Sequence, residues 1–218
     1  MSKFFNIDLP VKTPKILKRL YSGYVWDQYD DSDSKKLYLT FDDGPIPDIT
    51  PWVLETLEIY NAKATFFCIG ENIEKHHDVF DQLRNSGHSI GNHTYNHLKG
   101  WSTPTDMYLD NWQKTEVLLE KAGIYTKLFR PPYGKIKRKQ ARPLLKNGHR
   151  IVMYDVIAYD WDMNISPQQS ALNITNNAQS GSIIVFHDSL KAEKNLRYAL
   201  PEVLNHFTKL GYEFAALK

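Results

Sequence analysis

The residues of this 218-residue chain best suited to chemistry are two adjacent aspartates, two histidines four positions apart, and a histidine ending an apolar run. In Thr40-Phe41-Asp42-Asp43-Gly44-Pro45 the neighbouring carboxylates repel unless a cation or an arginine relieves them. Neighbours on an extended chain point to opposite faces, and the Gly-Pro turn is what could bring both into one pocket. An acidic turn capping a helix would look the same. In His93-Thr94-Tyr95-Asn96-His97 the histidines stand at i and i+4, which puts them on one face of a helical turn, a spacing that suits one metal ion. Alone, such a pair is by default two satisfied surface histidines. With Asp43 it becomes two nitrogens and a carboxylate, leaving positions open for water and substrate. Borderline divalent ions such as zinc suit those ligands. His187 follows Ile183-Ile184-Val185-Phe186, a run too apolar to be exposed. A histidine there is usually a hydrogen-bonded core residue, but Asp160 offers it a partner that would raise its pKa and keep it protonated as an acid.

The elements that must position these groups alternate. Strand-like runs at 37–41, 64–69, 88–91, 127–130, 150–154, 182–186 and 212–216 are separated by helical patterns at 50–60, 73–85, 138–146 and 195–209. Two more helices open at Thr103-Pro104, ending at Gly123, and at Ser166-Pro167; these two pairs and Thr50-Pro51 read as cap-and-proline starts. Such alternation predicts a parallel sheet with helices outside it, as an open doubly wound sheet or an incomplete barrel. In parallel α/β folds the C-terminal strand ends share the face where substrates bind. Asp42 and Asp43 end the first strand, and His93 and His97 follow the third. Arg130 and Tyr133 end or follow the fourth, Asp160 and Trp161 follow the fifth, and His187 and Asp188 end the sixth. Five independent strand ends carrying such groups are hard to attribute to accident.

Composition narrows the class. With 42% hydrophobic residues the chain can bury a full core, and nothing in it resembles a linker or a repeat, so one α/β domain is expected, residues 27–36 being a polar turn. The net charge of +2 gives no reason to expect nucleic acid or an acidic membrane as partner. The single cysteine, Cys68, excludes an internal disulfide and a multi-cysteine zinc site, and its apolar surroundings predict a buried, inert thiol. Met1 to Pro10 holds no uninterrupted apolar core of a signal peptide, and no stretch approaches membrane-spanning length. From the sequence a soluble, cytoplasmic protein is therefore expected. Residues 12–21 form a short basic amphipathic segment with Ile16, Leu17, Leu20 and Tyr21, expected to pack as a helix on the domain rather than on a membrane. His76 and His77 read as solvated, His88, His149 and His206 have no carboxylate partner visible in sequence, and Asp188 reads as structural. Tyr95, Trp101 and Trp161 are candidates to stack on sugar rings, although Trp101 could equally pack under its own loop. Oligomeric state leaves no signature.

Together the motifs resemble the polysaccharide deacetylases of carbohydrate esterase family 4, the NodB-homology domain, from about Leu37 to Leu217. Thr40-Phe41-Asp42-Asp43-Gly44-Pro45 is similar to the family's first motif and His93-Thr94-Tyr95-Asn96-His97 to its second. Arg130-Pro131-Pro132-Tyr133 matches the third, Asp160-Trp161 the end of the fourth and Val185-Phe186-His187 the fifth. The resemblance implies a distorted (β/α)7 barrel at residues 37–218, preceded by an N-terminal segment, 1–36, packed on it. It further implies that Asp43, His93 and His97 bind one divalent ion, usually zinc, with cobalt or manganese in some members. Asp42 would be the general base, oriented by Arg130, and His187 the general acid, tuned by Asp160. The backbone N–H of Tyr133 would help form the oxyanion hole, and Trp161 and Val185 would line the acetyl pocket. The implied substrate is a glycan containing N-acetylglucosamine. An acetyl-xylan O-esterase and a non-catalytic glycan-binding member are the alternatives. Ile157 and Ala158 stand where members often carry an Asp-Ser pair, and Val185 where leucine is usual. Most members are secreted, which leaves the compartment open.

Overall fold

Strands buried on both faces read as apolar runs, and the central ones here are built that way. In the structure, a computed structural model that describes residues 10–29 and 35–218, β1 (Lys36–Asp42) is flanked by β2 (Ala64–Cys68), all five residues of which are buried, and by β7 (Ile183–His187). β3 (Ser89–Asn92), β4 (Leu128–Phe129), β5 (Arg150–Ile151) and β6 (Val156–Ile157) complete a parallel sheet in the order β5-β4-β3-β2-β1-β7-β6. The helices that connect and cover it are α2 (Thr50–Ile59), α3 (Gly70–Lys75), α4 (His77–Asn85), α5 (Thr105–Lys121), α6 (Arg138–Lys146), α7 (Pro167–Thr175) and α8 (Glu193–Lys209). Phe41 anchors the main core, its ring stacked 4.9 Å from Phe66 and 6.0 Å from Phe186. Truncating a buried phenylalanine of this kind typically costs about 3–5 kcal/mol.

The register sets the ends of the strands level. Asp42 pairs with Phe67 and with His187, and Asn92 pairs with Cys68 and Phe129. The residues singled out in the sequence therefore emerge on one rim.

The two outer strands, β5 and β6, are not paired with each other. The N-terminal strap closes the gap between them. The Val25 amide donates to Ile151 O (2.9 Å) and the Met153 amide to Val25 O (2.7 Å), covering the edge of β5. The Ile157 amide donates to Val11 O (3.0 Å) and the Thr13 amide to Asp155 O (2.7 Å), covering the edge of β6. Between these contacts runs α1 (Lys15–Leu20). Buried Asp155 holds the strap by its side chain, accepting from Lys18 Nζ (2.5 Å), Tyr29 Oη (2.9 Å) and Ser182 Oγ (2.6 Å). An open sheet edge is a row of unpaired donors and acceptors, and this strap removes two of them.

Several sequence expectations change. The strand expected at 150–154 is shorter, ending at Ile151 as β5, and a further short strand that was not expected, β6, follows it. The last expected strand is β8 (Glu213–Phe214), which lies off the main path and pairs with the start of β1 at Lys36 and Leu37. The helix expected over 73–85 is broken at His76 (φ −129°, ψ 49°) into α3 and α4, and the break lets Val79, Phe80 and Leu83 turn inward. Ser166 caps α7 as expected, accepting from the Gln169 amide at 3.0 Å. Thr50 and Thr103 do not cap their helices: the Thr50 hydroxyl accepts from the Ile46 amide, and that of Thr103 donates to Lys99 O. Residues 1–9 and 30–34, which include most of the Met1–Pro10 stretch and half of the polar turn at 27–36, lie outside the described residues. No helix among the described residues is long and apolar enough to cross a membrane.

Candidate active site

A pocket of about 440 Å³ opens at the C-terminal rim of the sheet. Asp42, Asp43, His93, His97, Arg130, Tyr133, Trp161, Val185 and His187 all line it. Of the residues given catalytic, metal-binding or acetyl-pocket roles in the sequence, Asp160 alone stands behind it, against His187.

Asp42 and Asp43 diverge because the backbone leaves the strand between them. Asp43 has a left-handed φ of 82°, and its carbonyl accepts from Asn72 Nδ2 at 2.7 Å. The next residue has to be glycine: a Cβ on Gly44 would stand 2.0 Å from Asp188 Oδ2. Asp188 itself is buried, accepting from the Gly44 amide (3.1 Å) and the Thr50 hydroxyl (2.5 Å). That is the structural role expected of it.

His93 and His97 converge without a helix. The segment is a loop in which Thr94 (φ 65°) and His97 (φ 57°) are left-handed, so the expected helical turn is absent. Side chains from below hold this loop instead. Asn92 Oδ1 accepts from the Thr94 amide (2.7 Å), and Asn111 Oδ1 accepts from the amides of Tyr95 (2.9 Å) and Asn96 (3.1 Å). Asn92 Nδ2 in turn donates to Glu116 on α5 (2.7 Å), whose other oxygen faces His149 Nε2 at 3.2 Å. His149 therefore has a buried carboxylate partner that the sequence did not reveal. Asn111 and Glu116 were missed too. The available signal was polar residues among the buried positions of α5, where Tyr108, Trp112 and Leu119 are apolar.

The donor set suits a metal. His93 Nδ1 lies 2.7 Å from Arg130 O, so that nitrogen carries the proton and Nε2 keeps a free lone pair. His97 Nε2 lies 3.3 Å and His93 Nε2 3.7 Å from Asp43 Oδ1, which is buried and has no hydrogen-bond partner. One ligand atom from each of the three residues falls within 4.8 Å of the others. Burial pushes the His97 pKa down to about 4, which keeps the imidazole neutral as a ligand must be. Lone pairs facing a buried, orphaned carboxylate oxygen are the arrangement a cation would satisfy.

On one side of this cluster Asp42 is locked to Arg130. The guanidinium Nη1 donates to Asp42 Oδ1 and to the Thr40 hydroxyl, both at 2.7 Å, and Nη2 donates to Met153 O at 2.9 Å. Arg130 also stacks 4.2 Å over the Phe67 ring. Burial alone would raise the Asp42 pKa, but the Arg130 guanidinium, with the His187 charge beyond it, holds it below the usual carboxylate value. On the other side His187 is locked to Asp160, whose oxygens take the His187 amide (2.7 Å) and Nδ1 (2.9 Å). Burial opposes the charged imidazole, yet the carboxylate outweighs it and lifts the His187 pKa to about 9. The Trp161 ring meets the His187 ring edge-on at 4.6 Å, and Val185, Ile157 and Met153 make the apolar wall. Ile157 thus faces the pocket while Ala158 is buried in the core. Tyr133 is left-handed (φ 59°, ψ 12°) in the turn that follows β4, and its ring lies 4.6 Å from that of His97. Tyr95 is outside the pocket, its hydroxyl bonded to Glu74.

The polysaccharide deacetylase family model matches residues 29–152. The chain belongs to this family. It is 40% identical over 152 residues to a peptidoglycan-N-acetylglucosamine deacetylase of Bacillus cereus, an alignment covering 69% of this chain and 55% of that protein, so the chain spans little more than half of that relative. A second Bacillus cereus protein of the same name is 32% identical over 199 residues, covering 90% of this chain and 92% of the relative. Among solved structures, a peptidoglycan N-acetylglucosamine deacetylase in complex with 4-naphthalen-1-yl-N-oxidanyl-benzamide superimposes with a TM-score of 0.85 at 32% identity, covering 94% of this chain and 95% of the other. The sheet is accordingly the distorted (β/α)7 barrel of the family's deacetylases, and the sequence resemblance to that family holds.

Proposed function

We propose that the protein removes N-acetyl groups from a glycan containing N-acetylglucosamine, as a metal-dependent hydrolase. The observation that carries this reading is a three-residue ligand cluster flanked, in one pocket, by an ionised carboxylate and a protonated histidine. Asp43, His93 and His97 would hold one divalent ion, zinc being best suited to two imidazoles and a carboxylate, with cobalt or manganese as alternatives. Bound there, such an ion supplies polarisation of the acetyl carbonyl and acidification of the attacking water.

The chain's own groups handle the protons. Asp42, kept ionised by Arg130, accepts the proton of the water. His187, kept charged by Asp160, gives a proton to the departing amine nitrogen. The Tyr133 backbone N–H donates to the oxyanion as the carbonyl carbon becomes tetrahedral, a contribution of about 3–4 kcal/mol where such a donor is lost. Trp161 and Val185 enclose the acetyl methyl. Two proton carriers held in opposite states favour catalysis over simple glycan binding, which would need neither.

Relatives named for glycan deacetylation include a chitooligosaccharide deacetylase of Azorhizobium caulinodans, 34% identical over 161 residues, and they support the amide substrate. A family 4 carbohydrate esterase from Streptomyces lividans in complex with acetate, with a TM-score of 0.76 at 25% identity, keeps ester cleavage as the second reading. The test is acetate release from N-acetylglucosamine oligomers and from acetylated xylan, by chelated protein and after zinc or cobalt is restored. Metal-dependent release from the oligomers is expected. Release from xylan alone would replace the amidase reading with the esterase one.

A further inference from the structure

A second cavity, of about 260 Å³, adjoins the catalytic pocket on the side of the N-terminal strap. Tyr21, Tyr24 and Trp26 of the strap wall it on one side and Trp101 and Ile136 on the other. Tyr133, Gly134, Lys135 and Tyr154 line both cavities, so the two adjoin at the turn that follows β4. We propose that this cavity is a second sugar subsite, holding a neighbouring pyranose of the glycan whose acetamide enters the catalytic pocket. The proposal rests on the glycan-deacetylase reading and adds the surface that would select for chain length.

Three observations support it. First, the walls are aromatic faces left uncovered: Trp101 is 60% exposed, Tyr133 57% and Tyr21 40%. Large rings exposed together beside a cleft mark a binding surface more often than isolated exposed residues do. Pyranose rings present flat C–H faces that such rings match.

Second, the rings are held in place before any ligand arrives. Trp26 Nε1 donates to Tyr21 O (3.0 Å), Trp101 Nε1 donates to Ile136 O (3.3 Å), and Tyr21 stacks on Tyr24 with centroids 5.7 Å apart. Rigid aromatic anchors lose little freedom on binding. The strap that carries Tyr21, Tyr24 and Trp26 is fixed to the edges of both β5 and β6.

Third, the size suits one small ring, close to the lower bound of small-ligand sites at roughly 300 Å³. Lys135, which lies 5.3 Å over the Trp101 ring at the junction, offers a polar contact to a sugar hydroxyl there.

The experiment uses the metal-loaded full chain with N-acetylglucosamine and its pentasaccharide. It reads kcat/KM from acetate release and affinity from calorimetric or NMR titration. The wild-type protein should favour the pentasaccharide in both. Tyr21→Ala and Trp101→Ala should each remove about three- to tenfold of the pentasaccharide's advantage and leave the monosaccharide unchanged. Both side chains are well exposed, and Trp101→Phe should recover most of the loss, which a damaged fold would not allow. Pentasaccharide binding indifferent to both substitutions, or equal losses for both ligands, would overturn the proposal, as would a wild-type protein that binds neither. Length-dependent binding without any acetate release would instead uphold the subsite and reject the deacetylase reading.

Discussion

Two buried ion pairs face each other across the pocket, and they are made the same way for opposite ends. Arg130 holds Asp42 below the usual carboxylate pKa, and Asp160 holds His187 up at about 9. In each pair burial opposes the charge and a fixed counter-ion overrides it. The difference lies in what the pocket receives: a free acceptor oxygen from one pair and a proton on nitrogen from the other. Environment, more than residue type, assigns base and acid. The support differs as well. Arg130 reaches β1 and the segment after β5 through several bonds, whereas Asp160 grips His187 by backbone and ring together.

The strongest way to break this comparison is Asp42→Asn, which preserves shape and removes the proton acceptor. Turnover on N-acetylglucosamine oligomers should fall about 10²–10⁴-fold with metal binding retained by calorimetry. Undiminished turnover would place the base elsewhere. A smaller effect is expected from beneath the histidine loop. Asn111→Ala deletes the acceptor of two loop amides and should weaken zinc affinity about 10–100-fold in a chelator competition, the usual scale for groups that orient ligands. Zinc affinity equal to wild type would show that the loop holds its shape without α5. The smallest expected effect is that of Thr40→Val, which takes one of the bonds from Arg130 while leaving Asp42 in place. Unfolding in denaturant should register a loss of about 1–3 kcal/mol, with kcat little changed. A large fall in kcat would mean that Thr40 helps to set the Asp42 geometry.

Much of this site was legible because its residues sit at the ends of strands, where local pattern and fold topology coincide. The β-α alternation placed the rim, and the motifs named the nine pocket residues assigned parts in the proposed reaction, though not Met153 or Lys135, which line it as well. What the chain did not disclose is contact between distant segments. Arg130 and Asp42 are 88 positions apart, and only resemblance to a family paired them before the structure did. The histidine spacing suggested a helical turn, since i and i+4 is the simplest route to one face. Here, three amide bonds to Asn92 and Asn111 impose a bent loop with the same outcome. His149 and Glu116, 33 positions apart, form their pair only once α5 lies against α6, whose following turn carries His149. The strap was expected to pack on the domain. Its pairing with both sheet edges depends on β6, a two-residue strand too short to carry a pattern.

The most direct test of the paired ion-pair account is the pH dependence of acetate release by metal-loaded wild type and Asp160→Asn. His187 acts in its protonated form, so activity is present below its pKa and lost as pH rises through it. The wild-type alkaline limb should lie near 9. Without the Asp160 carboxylate the largest opposition to burial is gone, leaving only the more distant Asp43 and Asp42, and the limb should move down toward the ordinary histidine value of 6.5. An alkaline limb that stays near 9 in the variant would contradict the account, because the proton donor would then be some group other than His187.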